Sequence, residues 1–178
     1  MTTQHFKYRP FKKILLPVFL LMCSLALATT AHSETVYEAD LSEYYSLYED
    51  SISHGYYGLR IRGSRSTSPS VQLEYSSKEC ENIAITFEYT TRGLDTGEQI
   101  QIYFSPAGSD FGLVKNISEG SGTFTHKPQN SWGMHYKIYN GASSFFERID
   151  IRSLVIRGDD AESCRDGDCN CTIGKIDR

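Results

Sequence analysis

Apolar and polar positions alternate along two neighbouring runs of the chain. In IAITFEY (83–89), Ile83, Ile85, Phe87 and Tyr89 fall on one face; in EQIQIYFS (98–105), Ile100, Ile102 and Phe104 do the same, while Thr86, Glu88, Gln99 and Gln101 fall on the other. A period of two with one apolar face predicts two half-buried antiparallel strands, here connected by the turn-rich TTRGLDTG. The same period recurs in GLRIR (58–62), with Leu59 and Ile61 inward and Arg60 and Arg62 outward, and in VQLEY (71–75), where Val71, Leu73 and Tyr75 share a face. Segments 36–41, 113–117, 122–126, 134–139 and 148–157 read as further strands. Segment 41–50 reads as a Tyr-rich loop or a single helical turn, and 64–70, 105–112, 128–133 and 140–144 as connections. No convincing amphipathic helix interrupts the series. Short strands with frequent turns predict an all-β chain folded as an antiparallel β-sandwich. LRIRG (59–63) and LVIRG (154–158) recur, which similar strand ends explain without duplication.

The first 33 residues follow a different pattern. They are free of acid, carry Lys7, Arg9, Lys12 and Lys13, run apolar over 14–28 and end in Ala31-His32-Ser33. A basic start, an apolar stretch and small residues before Glu34 predict a secretory signal peptide at 1–33, cleaved before 34. The apolar run, interrupted by Pro17, is short against the roughly 20 residues that span a bilayer, so no membrane span is expected after cleavage. Export places the protein in the periplasm or outside the cell. It also moves the formal charge from −4 to about −8, because every charged residue removed is basic. Nucleic acid is excluded as a partner on that balance, since phosphate contacts need a basic surface. The remaining length suits one domain, 34–160, followed by a short Cys-rich acidic tail, 161–178.

Four cysteines remain, Cys80, Cys164, Cys169 and Cys171, an even number that in an oxidising compartment favours disulfides. Three connectivities are open. Cys169 and Cys171 are too close in sequence to pair without strain, which favours Cys80 reaching the C-terminal cluster. A Cys-only zinc site is disfavoured by the C-x4-C-x-C spacing and the absence of a neighbouring histidine. Within the tail, Asp166, Asp168, Asn170 and Asp177 occupy positions 1, 3, 5 and 12 of a calcium-loop skeleton, but Cys171 stands where the sharp turn needs glycine. A disulfide-tied polar tail accounts for the same residues, with structural calcium the alternative.

The order VYEADL, GLRIRG, ITFEYTTRGLDTGEQIQIYFS and FFERIDIRSLVIRG resembles the galactose-binding-like jelly rolls of secreted bacterial proteins, a group that includes many carbohydrate-binding modules. The resemblance covers about 36–158. The loop after Ser105 departs from it, with PAGSDFG in place of an Asp-Gly-Gly-Trp type of turn and Phe111 as its aromatic residue. The resemblance implies a jelly-roll topology and ligand binding by loops at one rim or on the concave sheet face. It also implies a second calcium possibility, with Glu38 and Asp40 on the entry strand and Asp150 on the closing strand.

Sugar rings pack C–H faces on aromatic rings and direct hydroxyls at fixed polar groups. Trp132 lies in the polar loop KPQNSWGMH beside Gln129 and Asn130, and Tyr139 faces outward if Tyr136 and Ile138 take the core positions. These four residues, with Arg92 and Asp95, form the expected ligand set. Tyr44, Tyr45, Tyr48, Tyr56 and Tyr57 read as cover for a sheet edge. Catalysis is not expected: His54, His126 and His135 are scattered, no hydrolase motif occurs, and Glu88 and Glu98 fall mid-strand and beside a turn. The sequence thus predicts a secreted, non-catalytic binding module for carbohydrate or a glycosylated surface. The alternative is an adhesion or matrix component whose Tyr-rich surface meets another extracellular protein.

Overall fold

A computed structural model describes residues 34–78, 80–107, 109–129, 132–160 and 171–176. The signal segment, Asn130, Cys164, Cys169, Asp166, Asp168, Asn170 and Asp177 lie outside the described residues. The strands are β1 (Glu34–Glu38), β2 (Tyr45–Ser46), β3 (Ile52–Gly55), β4 (Gly58–Arg62), β5 (Ser70–Lys78), β6 (Cys80–Arg92), β7 (Ile100–Pro106), β8 (Gly112–Ile117), β9 (Ser121–His126), β10 (Met134–Asn140), β11 (Arg148–Asp160) and β12 (Thr172–Lys175). Among the described residues there is also a 3-10 turn, Glu49–Ser51.

Every pairing is antiparallel, and the strands form two sheets. The first runs β3-β4-β11-β6-β9, with β1 also on β11; the second runs β12-β5-β10-β7-β8, with β2 also on β5. From β4 to β7 the chain changes sheet at every step, the jelly-roll habit. The two alternating runs at 83–89 and 98–105 are therefore not partners: β6 pairs with β11 and β9, and β7 with β10 and β8. Gly93, at φ 76°, begins a connection that crosses from one sheet to the other and lets both apolar faces turn inward.

The inward faces meet as the alternation predicts. Leu59, Ile61, Ile83, Ile85, Phe87, Ile149, Ile151, Leu154 and Ile156 from the first sheet pack with Val71, Leu73, Tyr75, Ile100, Ile102, Met134, Tyr136 and Ile138 from the second. Each such burial contributes about 1.5–3 kcal/mol. An aromatic group spans the gap: Phe87 contacts Phe124 and Tyr136, and Phe104 contacts Tyr136 and His126. Tyr89 and Phe104 are half-buried.

Two sequence expectations shift at the ends. The entry strand stops at Glu38, before Leu41, because the Asp40 carboxylate accepts hydrogen bonds from the Ser42 N–H and Oγ at 2.8 and 2.7 Å, turning the chain. At the other terminus, Thr172–Lys175 of the expected tail joins the second sheet beside β5. Cys80 at the start of β6 is disulfide-bonded to Cys171 just before β12, with a Cα–Cα distance of 4.7 Å, so the bridge links the two sheets at one end.

Candidate functional site

The outer face of the second sheet carries a block of alternating aromatic and polar side chains. In the register, Tyr103 of β7 lies opposite Lys137 of β10, and Gln101 lies opposite Tyr139. The two tyrosines thus occupy one diagonal of a square and the polar pair the other. Diagonal neighbours across antiparallel strands stand about 7–8 Å apart, close enough for both rings to touch one extended ligand. Phe111, from the β7–β8 connection, joins them to enclose an open depression of about 390 Å³ lined by Gln101, Tyr103, Phe111, Lys137 and Tyr139.

The rings are held by short polar contacts. The Tyr103 hydroxyl donates to Gln101 Oε1 at 2.9 Å, and the Gln101 amide donates to Asn116 Oδ1 of β8 at 3.4 Å. The Tyr139 hydroxyl donates to Ser68 Oγ at 3.3 Å. A Cβ at Gly141 would come within 3.0 Å of the Tyr139 ring, so glycine at that position leaves the ring its place. Across β5 the same face continues into a second depression of about 340 Å³, lined by Glu43, Tyr44, Tyr45, Gln72, Glu74, Lys175 and Ile176. Gln72 is opposite both Tyr45 and Lys137 in register and joins the two depressions. Glu74 lies 3.5 Å from His135 on this surface.

The expected ligand set is divided among several places. Tyr139 belongs to the outer-face depression, with Tyr136 and Ile138 in the core as the alternation requires. Trp132 is 68% exposed, just before β10 and beyond the opposite end of that strand from Tyr139. Gln129 is exposed in the preceding connection. Arg92 lies on the outer face of the first sheet, and Asp95 in the β6–β7 connection. Tyr103, Gln101 and Lys137 were not singled out by the sequence, and Phe111 was noted there only as the aromatic residue of its loop, outside the expected ligand set. Gln101 and Tyr103 are the outward positions of a run whose inward ones were recognised, and the only signal was a tyrosine on the polar side of an alternating strand.

At the rim next to Asp95, the β6–β7 and β10–β11 connections meet. One carboxylate oxygen each from Asp95, Glu98 and Glu147 lies within 4.8 Å of the others. Glu98 accepts from the Asp95 and Ser143 N–H groups at 3.0 and 3.1 Å, and Glu147 from the Ser144 N–H. The Asp95 N–H bond holds the Glu98 carboxyl below its ordinary range, whereas burial raises that of Glu147. Asn140, fully buried, ties the rim together: its Nδ2 donates to Ile61 O and Glu147 O at 3.0 and 3.2 Å, and its Oδ1 accepts from the Ala142 N–H at 2.9 Å.

The acids considered from the resemblance are not gathered. β1 does lie beside β11, but Glu38 is opposite Val155, five positions along from Asp150. Asp150 instead receives Arg60 through both carboxylate oxygens, at 2.5 and 2.7 Å. Asp40 is turned onto Ser42. Glu88 and Glu98 sit on a strand face and in the rim connection. His126 contacts Phe104 and Phe124, with Nδ1 2.8 Å from the Tyr136 hydroxyl, and burial lowers its pKa.

This pairing and packing define a two-sheet antiparallel β-sandwich with a polar, aromatic sheet face. The chain matches no protein-family model and no curated protein. Among solved structures, it is similar to a mutant family 29 carbohydrate-binding module complexed with mannohexaose, at 15% identity and a TM-score of 0.47, over 67% of this chain and 82% of that one. It is also similar to a family GH115 4-O-methyl-α-glucuronidase with specificity for decorated arabinogalactans, at 10% identity and a TM-score of 0.42, over 71% of this chain. The chain spans 18% of that enzyme's length.

Proposed function

We propose that the protein is a non-catalytic carbohydrate-binding module whose ligand lies across the outer face of the second sheet. The observation that carries this reading is the diagonal of Tyr103 and Tyr139 in an open depression, with Gln101 and Lys137 on the other diagonal. Aromatic faces receive the C–H faces of sugar rings, and amide and ammonium groups receive hydroxyls. Continuation of the face past Gln72 to Tyr44 and Tyr45 suits a chain of several sugars. A disulfide between Cys80 and Cys171 supports assembly in an oxidising compartment, in keeping with export by residues 1–33.

The test is calorimetric titration of the purified protein with a panel of neutral oligosaccharides, repeated for Tyr103→Ala and Tyr139→Ala. Saturable binding that weakens at least about tenfold in each variant, with the fold retained, is the expected result. Binding insensitive to both substitutions, or binding to none of the glycans, overturns the reading.

A further inference from the structure

The outer face of the first sheet presents three arginines in one cross-strand row. Arg148 of β11 is directly opposite Arg62 of β4 on one side and Arg92 of β6 on the other. Directly opposite residues of an antiparallel pair project from the same face, and like charges so placed destabilise a sheet. Arg60 and Arg152 lie on the same face, the latter in a depression with Glu88, Thr90 and Arg92. The acids near the row on this face are Asp150, taken by Arg60, and Glu88; Glu38, opposite Val155, lies farther along it.

The fold neutralises the row only in part. None of Arg62, Arg92 and Arg152 forms an ion pair among the described residues. Arg148 reaches Asp150 at 4.0 Å, and its buried Nε has no hydrogen-bond acceptor among the described residues. The carboxylates of the adjoining rim are turned away onto backbone N–H groups. Glu119 accepts from Gly93 and Leu94 at 3.1 and 2.9 Å, Glu98 from Asp95 and Ser143, and Glu147 from Ser144. Glu119, Glu98 and Glu147 thus lie near the row without forming an ion pair to it among the described residues.

We infer that this row is a binding site for a carboxylated oligosaccharide, a short run of uronic acid residues laid across β4, β11 and β6. Guanidinium groups match planar carboxylates through paired N–H donors. Neighbouring strands are about 4.8 Å apart, so the row offers one cation per strand at a spacing suited to one carboxylate per sugar along an extended chain. Phe145 and Phe146 are exposed beside it, and the Arg62 guanidinium stands 4.9 Å over the Phe145 ring, which provides an apolar surface next to the charges. A long polyanion such as nucleic acid would extend past this local patch onto a protein of net negative charge.

The site is on the opposite sheet from Tyr103 and Tyr139 and stands or falls separately from the function proposed above.

The test is titration with tetragalacturonate at low and physiological salt, for the wild-type protein, Arg92→Gln, Arg62→Gln and Tyr103→Ala, with the methyl-esterified tetramer and a tetranucleotide as comparison ligands. Expected are saturable binding to the acid form, a loss of at least about tenfold in each arginine variant, no loss in Tyr103→Ala, and little binding of the ester or the nucleotide. The thermal midpoint of Arg92→Gln should equal or exceed that of the wild type, because one like-charge neighbour is removed. Absence of binding, equal binding of the ester or the nucleotide, unchanged affinity in Arg92→Gln, or a lowered midpoint in that variant each overturns the proposal.

Discussion

His126 shows how a single side chain acquires its properties from packing. In the sequence it is a polar residue at the end of a polar strand; in the sandwich its ring lies between Phe104 and Phe124 and meets the Tyr136 hydroxyl. Burial disfavours its protonated form, so its pKa in the folded protein lies below the ordinary 6.5. A depressed pKa means that the unfolded chain binds the proton more tightly. The associated stability is present above pH 6.5 and is lost as pH falls from there through the folded value. Thermal midpoints measured between pH 7.5 and 5 should therefore decline more steeply for the wild type than for His126→Phe; parallel curves would exclude this group as the cause. Glu147 titrates with the opposite sign, because burial raises its carboxyl, and its contribution is lost as pH rises through that raised value.

Among the elements, β6 and β11 form the longest pairing, from Arg148↔Arg92 to Asp160↔Cys80, with irregularities between Ile151 and Ser153 and between Arg157 and Asp159. The alternation of β6 made its buried positions readable, but its partner was not, because an alternating strand states which face is inward and not which strand lies beside it. The segment Gly93–Gln99 has turn composition whether it closes a hairpin or crosses between sheets. The short edge strand β12 had no periodicity to reveal it, and it is secured by Ile173 in the core and by the bridge just before it. Cys80 and Cys171 are 91 residues apart, so the cross-link restricts the unfolded chain by about 4.5 kcal/mol on loop-closure grounds. Cys80→Ser is expected to lower stability by about 2–4 kcal/mol and to increase hydrogen exchange along β12 before the other strands. Uniform exchange across the second sheet would show that β12 does not depend on the bridge.

For the whole molecule, the two outer faces differ in chemistry. One presents tyrosines, amides and Lys137; the other presents arginines within a chain of negative net charge. Among the described residues no helix is long and apolar enough to cross a membrane. With the core between them, ligands on the two faces should bind independently. Saturating the protein with a neutral oligosaccharide is expected to leave its affinity for tetragalacturonate unchanged, and competition would place both ligands on one face.

By itself the sequence determined the inward half of the molecule: Leu59, Ile61, Val71, Leu73, Ile83, Ile85, Ile100 and Ile102 are buried because alternation is a local property of an extended chain. It also brought Cys80 to the C-terminal cluster and turned Tyr139 outward. Only the tertiary structure decided which outward residues become neighbours. Tyr103 and Tyr139, and Arg62, Arg148 and Arg92, are remote in sequence and are assembled by the register of strands that pair across the fold. Register is fixed by simultaneous packing of both inner faces, a global condition that no single segment carries.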